Sequence, residues 1–225
     1  MAKKNKRSQK VASTAKLENA LLSQTSGTET PTPVPSPNPV VYFWRETDTE
    51  TGWLSQWYPC DFTGEDGILY RTAEHYMMYR KARLFSDTEV GDLILAADHP
   101  RKVKALGRKV KNFDPRIWNH EREVIVREGT RLKFTRAVRE EGLRRGSAVG
   151  APLVALLSLR QLLLSTGDRE LVEASPMDRI WGIGFGTANA AENRGRWGWN
   201  LLGKALMQVR EDFRREDGQG EKQVE

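Results

Sequence analysis

Glu74 and Lys81 stand seven residues apart in the run Tyr70-Arg-Thr-Ala-Glu-His-Tyr-Met-Met-Tyr-Arg-Lys-Ala-Arg-Leu-Phe85. Seven residues are about two turns of an α-helix, so the two side chains point the same way. Met77 and Met78 lie between them. A carboxylate and an amine sharing an apolar setting are what acid–base or imine chemistry requires. On spacing alone a solvated pair on the helix surface is the default, because Lys and Glu are mostly exposed. Asp178 is a second candidate, three residues before Trp181 in Asp178-Arg-Ile-Trp-Gly-Ile-Gly-Phe-Gly186. A carboxylate beside an indole suits a site that stacks a flat ring and stabilises positive charge, while a turn capped by Asp178 fits the same residues equally well. The glycines here do not follow the dinucleotide fingerprint, which needs a strand before them and a helix directly after. Arg108, after Gly107, offers a guanidinium to a phosphate or to a surface ion pair. Trp118 and Trp181 serve either as stacking platforms or as core filling. His75 leaves the helix in a different direction from Glu74 and is not expected to pair with it.

The elements that must position these groups follow from local pattern. Thr72 is an N-cap for a helix from Ala73 to Phe85, a run without Gly or Pro. Val40-Val-Tyr-Phe-Trp44 reads as a strand, and Trp53–Tyr58 as a short strand or irregular aromatic segment. Thr63–Gly67 is a turn leading into Ile68-Leu-Tyr70, which suggests a hairpin of short strands packed on helices. Ser86-Asp-Thr-Glu89 matches a capping box with Ser86 as N-cap. Asp98-His-Pro100 ends one helix and starts another, and Asp114-Pro115 opens a long one. In that long helix Trp118, Ile125 and Leu132 form a stripe with Ile117 and Val124 beside it. Residues 140–152 read as a flexible surface insertion, Leu153–Leu164 as an apolar helix, and Glu170–Ala174 as a short strand. The last helix carries Leu201, Leu202, Ala205, Leu206, Val209 and Phe213 on one face and is expected to fray over the final ten residues.

The chain has 225 residues, enough for one well-filled core and a tail. Residues 1–39 are expected to be disordered: Lys-rich sequence gives way to Ser/Thr and then to alternate prolines from Thr30 to Pro39, which forbid a helix. Six basic side chains stand against Glu18 and Glu29 in this tail, so most of the net charge of +6 belongs to it. The basic balance is therefore weak support for nucleic-acid binding by the folded part. Lys3-Lys4-Asn5-Lys6-Arg7 fits a nuclear localisation signal and a solubilising tail about equally. The single Cys60 forms no internal disulfide and fits a reducing compartment. His75, His99 and His120 are scattered without metal-ligand spacing. No run approaches membrane-spanning length, and the N-terminus has no apolar segment of a secretory signal. A cytoplasmic or nuclear location is expected, with no membrane partner.

Taken in order, Phe43-Trp44, Leu54-Ser55-Gln56-Trp57, Thr72-Ala73-Glu74-His75-Tyr76, Lys81, Leu106-Gly107-Arg108, Trp118, Lys133-Phe134, Leu163–Gly167, Leu171-Val172-Glu173, Asp178 with Trp181-Gly182, and Asn200-Leu201-Leu202-Gly203 with Leu206-Met207 resemble the NADAR superfamily of YbiA-like proteins. The resemblance covers about residues 40–214. It implies a mainly α fold, α+β with a few short strands, forming a single compact helical YbiA-like domain between tails at 1–39 and 215–225. It also implies an enzyme that cleaves an N-glycosidic bond at ribose C1′. The family's activities are removal of the base from phosphorylated ribosylamino-pyrimidine intermediates of riboflavin synthesis, and removal of ADP-ribose from guanine in nucleic acid. The former is the expected activity. ADP-ribosyl hydrolysis and a non-catalytic ADP-ribose-binding module are the alternatives, with nucleic acid entering only as a modified substrate. By resemblance, Glu74, Lys81 and Asp178 are catalytic, with Lys81 in the position of a lysine thought to form an imine with the opened sugar. Ser55, Arg108, Trp118, Trp181, Gly182 and Asn200 are the implied substrate-binding residues. The reaction requires no metal or organic cofactor. Two departures bear on substrate class. Ser55-Gln56-Trp57 replaces the more usual Ser-Asn-Phe, and Gly182-Ile183-Gly184 lacks an acid that some bacterial members place between these glycines.

Overall fold

A computed structural model describes residues 39–138, 143–145 and 156–221 of the protein. Most of the fold is helical. Strand β1 (Val41–Phe43) is followed by a 3₁₀ turn at Gly52–Leu54 and the hairpin of β2 (Phe62–Thr63) and β3 (Leu69–Tyr70). Then come α1 (Ala73–Leu84), α2 (Thr88–Ala96), α3 (Pro100–Gly107) and α4 (Pro115–Thr135). Strands β4 (Leu143–Arg145) and β5 (Leu156–Ser158) precede α5 (Leu159–Ser165), β6 (Leu171–Glu173), the short α6 (Thr187–Ala190) and α7 (Leu201–Glu221). The described strands form three two-stranded sheets.

Helix α1 is the centre of the packing and touches α2, α3 and α4, while α4 and α6's successor α7 pack against each other and α7 also covers β6. Its start is set by Thr72, whose side chain accepts from the His75 amide at 3.3 Å. Tyr70, Tyr76 and Met77 go into the core, as do Ile125, Val126, Leu132 and Phe134 of α4. Gly129 is what lets α1 and α4 approach: a Cβ there would lie 2.5 Å from the Tyr76 ring. The predicted face of α7 is buried in full, from Leu201 to Phe213. β1 pairs in parallel with β6, Val41 opposite Leu171 and Phe43 opposite Glu173. That pairing brings together segments about 130 residues apart in the chain.

Several local expectations change. Asp87, not Ser86, caps α2: its side chain accepts from the Val90 and Lys111 amides at 3.2 and 2.8 Å. Ser86 instead turns the chain at φ 57°. Glu89 leaves the expected capping box to pair with Lys111 at 2.7 Å. Ile117 and Val124 are exposed, so the buried stripe of α4 is narrower than the pattern suggests. In the apolar run expected as one helix over Leu153–Leu164, residues 153–155 lie outside the described residues and Leu156–Ser158 is a strand. Ser158 and Gln161 make a reciprocal capping box that starts α5 at Leu159, and the residues before it form β5. Within the stretch read as a flexible insertion, Leu143–Arg145 is a strand paired antiparallel with β5; the rest of 140–152 lies outside the described residues. So do residues 1–38. Helix α7 continues past the expected end at 214 to Glu221. Arg131 of α4 and Arg160 of α5 reach its later turns, pairing at 2.7 Å with Glu216 and Asp217. Among the described residues no helix is long and apolar enough to cross a membrane.

Candidate active site

Glu74 and Lys81 are not on a solvated surface. Glu74 is 4% exposed and Lys81 9%. Both line a cavity of about 610 Å³ whose wall also includes Ser55, Gln56, Trp57, Arg108, Trp118, Glu173, Asp178 and Trp181. The spacing puts both on one face, and packing of α1 against α2, α3 and α4, which spacing alone does not encode, keeps that face from being the solvated surface that is the default.

Each wall has a physical reason for its position. Glu74 sits in the first turn of α1, and its amide donates to Gln56 O at 3.0 Å, tying the Ser55–Trp57 segment to the helix. Lys133 of α4 holds the same segment from behind. It is fully buried and its Nζ donates to Trp53 O and Ser55 O at 2.7 and 2.8 Å. Burial pulls that amine down to about 7, with Cys60 opposing the shift. Lys81 projects from the end of α1 and donates to Gly107 O, the last residue of α3, at 2.7 Å. Its Nζ lies 4.2 Å from the Phe113 ring centre and 5.4 Å from that of Trp118. Burial lowers its pKa. His75 is buried and does not pair with Glu74, as expected from its direction: Thr72 Oγ1 and Ala97 O lie 2.8 and 3.1 Å from its ring nitrogens.

Asp178 satisfies both readings of its sequence context. Its Oδ1 accepts from the amides of Ile180 and Trp181 at 2.9 and 2.8 Å, capping the turn. Its carboxylate also lines the cavity and pushes up the pKa of both Glu74 and Glu173. Glu74 is raised to about 7, chiefly by burial and further by Asp178, against the pull of Lys104, Trp57 and Arg108. Its Oε1 is sealed from solvent and has no hydrogen-bond partner. A carboxyl held in this state is suited to proton transfer near neutral pH. Arg101 and Lys104 of α3 and Arg108, just after its last residue, form a cationic side of the cavity.

Two expected binding residues lie behind the wall. Asn200 is buried, with Oδ1 accepting from the Glu173 amide at 3.0 Å and Nδ2 donating to Leu171 O at 2.9 Å. Both ends of its amide are spent on β6, so it positions the strand. Gly182 is a packing residue: a Cβ there would lie 2.7 Å from Glu173 O. Ser55, Arg108, Trp118 and Trp181 do line the cavity. Glu173 is the residue that sequence reasoning missed. Burial, then Asp178, raise it to about 8, and its Oε2 is sealed and unpartnered. A signal was present, because residues i and i+2 of a strand share a side. Glu173 therefore follows the fully buried Leu171 inward, where a carboxyl is unusual. Among the described residues no group of His, Cys, Asp and Glu could hold a metal ion.

The NADAR domain family matches residues 42–214. This chain belongs to that family. An N-glycosidase of Acanthamoeba polyphaga mimivirus is 42% identical over 166 residues, covering 71% of this chain and 86% of the relative. A riboflavin biosynthesis protein of Vibrio vulnificus is 30% identical over 173 residues, covering 77% of this chain but only 38% of the relative. The NMR structure of the Escherichia coli protein YbiA superposes with a TM-score of 0.57 at 26% identity, covering 80% of this NADAR chain and 88% of YbiA. The mainly helical, single-domain architecture agrees with that superposition.

Proposed function

We propose that this NADAR protein is a hydrolase that cleaves the N-glycosidic bond at ribose C1′ of a phosphorylated ribosylamino-pyrimidine, an intermediate of riboflavin synthesis. One observation carries the reading: a buried Glu74 carboxyl, one oxygen of which has no partner, faces a cavity that has further carboxylates on one side and the cations of and just after α3 on another. The N-glycosidase name of the mimivirus relative supports the reaction class, and the name of the Vibrio relative supports the substrate.

Cleavage develops positive charge at C1′ and negative charge on the departing nitrogen. Asp178, held by its own turn, stabilises the cationic sugar, and Glu74 activates the attacking water. Arg108, with Arg101 and Lys104, holds the phosphate. Trp118 and Trp181 shape the sugar and base subsites. Burial lowers the Lys81 pKa toward the neutral amine needed to attack C1′ and hold the open sugar as an imine, while the Gly107 carbonyl and the Phe113 and Trp118 rings favour the ammonium of the resting enzyme.

Removal of ADP-ribose from guanine is the second reading. It is favoured by Trp44 on the cavity wall, 38% exposed with the Arg45 guanidinium 4.5 Å from its ring centre, which offers a further stacking platform. A parallel turnover assay on a ribosylamino-pyrimidine phosphate and on ADP-ribosylated guanine nucleic acid tests both. Base release from the first, at least tenfold faster than from the second, is expected. The reverse order would transfer the assignment to ADP-ribose, and tight binding of either without release would make the protein a binding module.

A further inference from the structure

We propose that Glu173 is the general acid of this cavity, the group that carries the proton delivered to the departing base. The proposal rests on the N-glycosidase reading above and adds a catalytic residue to it.

Glu173 is fixed with unusual care. Its amide donates to Asn200 Oδ1 at 3.0 Å, and its carbonyl accepts from the Ile183 amide at 3.0 Å. The backbone is thus held on both sides while the carboxyl stands on the cavity wall, its Oε2 sealed from solvent and without a partner. Glu74 Oε1 is in the same condition. Together with Asp178 they line one cavity, and the Asp178 charge opposes ionisation of both glutamates.

The surroundings decide which one keeps the proton. Glu74 lies in the first turn of α1, where the helix dipole favours negative charge, and Trp57, Lys104 and Arg108 all favour its ionised form. Asp178 accepts two backbone N–H bonds that cap its own turn. Glu173 is at the end of a strand, which has little dipole. Facing it are Asp178 from the following loop and Glu74 from α1, both of which oppose ionisation, and Lys104 from α3, the one cation acting on it. Burial adds to the opposition, and its pKa is raised to about 8. At neutral pH Glu173 is therefore a carboxylic acid on the cavity wall, with a proton to give to a ligand nitrogen.

The step balances with one water. The C1′–N bond breaks and its electron pair goes to nitrogen, which takes the Glu173 proton. A water oxygen adds to C1′ and gives a proton to Glu74. Solvent returns a proton to Glu173 and removes one from Glu74. The transfer to nitrogen is the same if Lys81 rather than water takes C1′.

The test is the pH profile of kcat for base release by the wild-type full chain, by Glu173→Gln and by Glu173→Asp. The wild type is expected to lose activity above about pH 8 as the acid ionises. Glu173→Gln should be slower by about 10²–10⁴-fold, with that alkaline limb gone and the Kd for ribose 5-phosphate within about threefold of wild type. Glu173→Asp, which keeps an acid on a shorter stem, should retain partial activity with the limb present. An alkaline limb that persists in Glu173→Gln, or kcat within threefold of wild type there, would overturn the proposal while leaving the N-glycosidase reading intact. If Glu173→Gln does not fold, the Glu173→Asp profile decides, and absence of an alkaline limb in both it and the wild type overturns the proposal. A wild type that releases no base from any N-riboside would bring down the reading beneath it as well.

Discussion

Replacing Glu74 by Gln should make the protein more stable and inactive at once, with a pH dependence that identifies the cause. Burial raises the Glu74 carboxyl from an ordinary 4.5 to about 7. The folded protein therefore holds this proton more tightly than the unfolded chain does. Between pH 4.5 and about 7 the unfolded state binds fewer protons, so stability falls as pH rises. Above about pH 7 the penalty is complete, at about 3 kcal/mol from about 1.4 kcal/mol per pH unit. Gln keeps the shape of the protonated side chain without an ionised form. Glu74→Gln should thus match the wild type near pH 4 and exceed it by about 3 kcal/mol at pH 8. For a chain of this size that is a Tm increase of roughly 6–12 °C. Thermal scans of both proteins at pH 4, 6 and 8, with base release measured on the same samples, provide the assay. A Glu74→Gln variant that is no more stable than wild type at pH 8 would refute the reasoning, because it would mean the carboxylate is paired and stabilising in the folded protein.

Asp178→Asn retains an oxygen to accept from the Ile180 and Trp181 amides but removes the charge; turnover should fall by about 100-fold or more with Tm little changed, and a loss of fold with full activity in the folded fraction would make Asp178 purely structural. Lys81→Arg and Lys81→Ala should both lose nearly all activity, and borohydride added during wild-type turnover should attach the sugar at Lys81, as mass spectrometry would show; full activity of Lys81→Arg with no adduct would eliminate the imine. Asn200→Ala leaves the Glu173 amide and the Leu171 carbonyl without partners, so a destabilisation of about 2–4 kcal/mol is expected by chemical denaturation, whereas a raised KM at unchanged stability would return Asn200 to the binding site. Deleting residues 1–38 should leave Tm and turnover unchanged, as their proline-rich, charged composition predicts; a large drop in either would show that the segment packs on the domain.

Local chemistry was legible where one residue type has one strong reason for its position. Thr72 and Asp114-Pro115 gave the starts of α1 and α4, and the apolar face of α7 was read without error. Competing local options were harder. Ser86 and Asp87 both look like caps, and only the neighbouring Lys111 amide favours Asp87. Leu153–Leu164 could be strand or helix by apolarity, and the Ser158–Gln161 capping box that resolves it passed unread. The site depends on contacts no local pattern encodes. The burial of Glu74 and Lys81 needs α3, α4 and β6 around α1, and the parallel β1–β6 pairing joins segments separated by most of the domain. Resemblance to the family supplied Glu74, Lys81, Trp118 and Asp178. It also brought in Gly182 and Asn200, which support the wall rather than form it.

The central claim is that the cavity around Glu74 breaks an N-glycosidic bond. The most direct measurement is the time course of free base and ribose 5-phosphate when the purified full chain meets a ribosylamino-pyrimidine phosphate at pH 7, with Glu74→Gln prepared and folded in parallel. The account predicts stoichiometric release of both products by the wild type and less than about 1% of that rate for Glu74→Gln. Equal rates for the two proteins would contradict it.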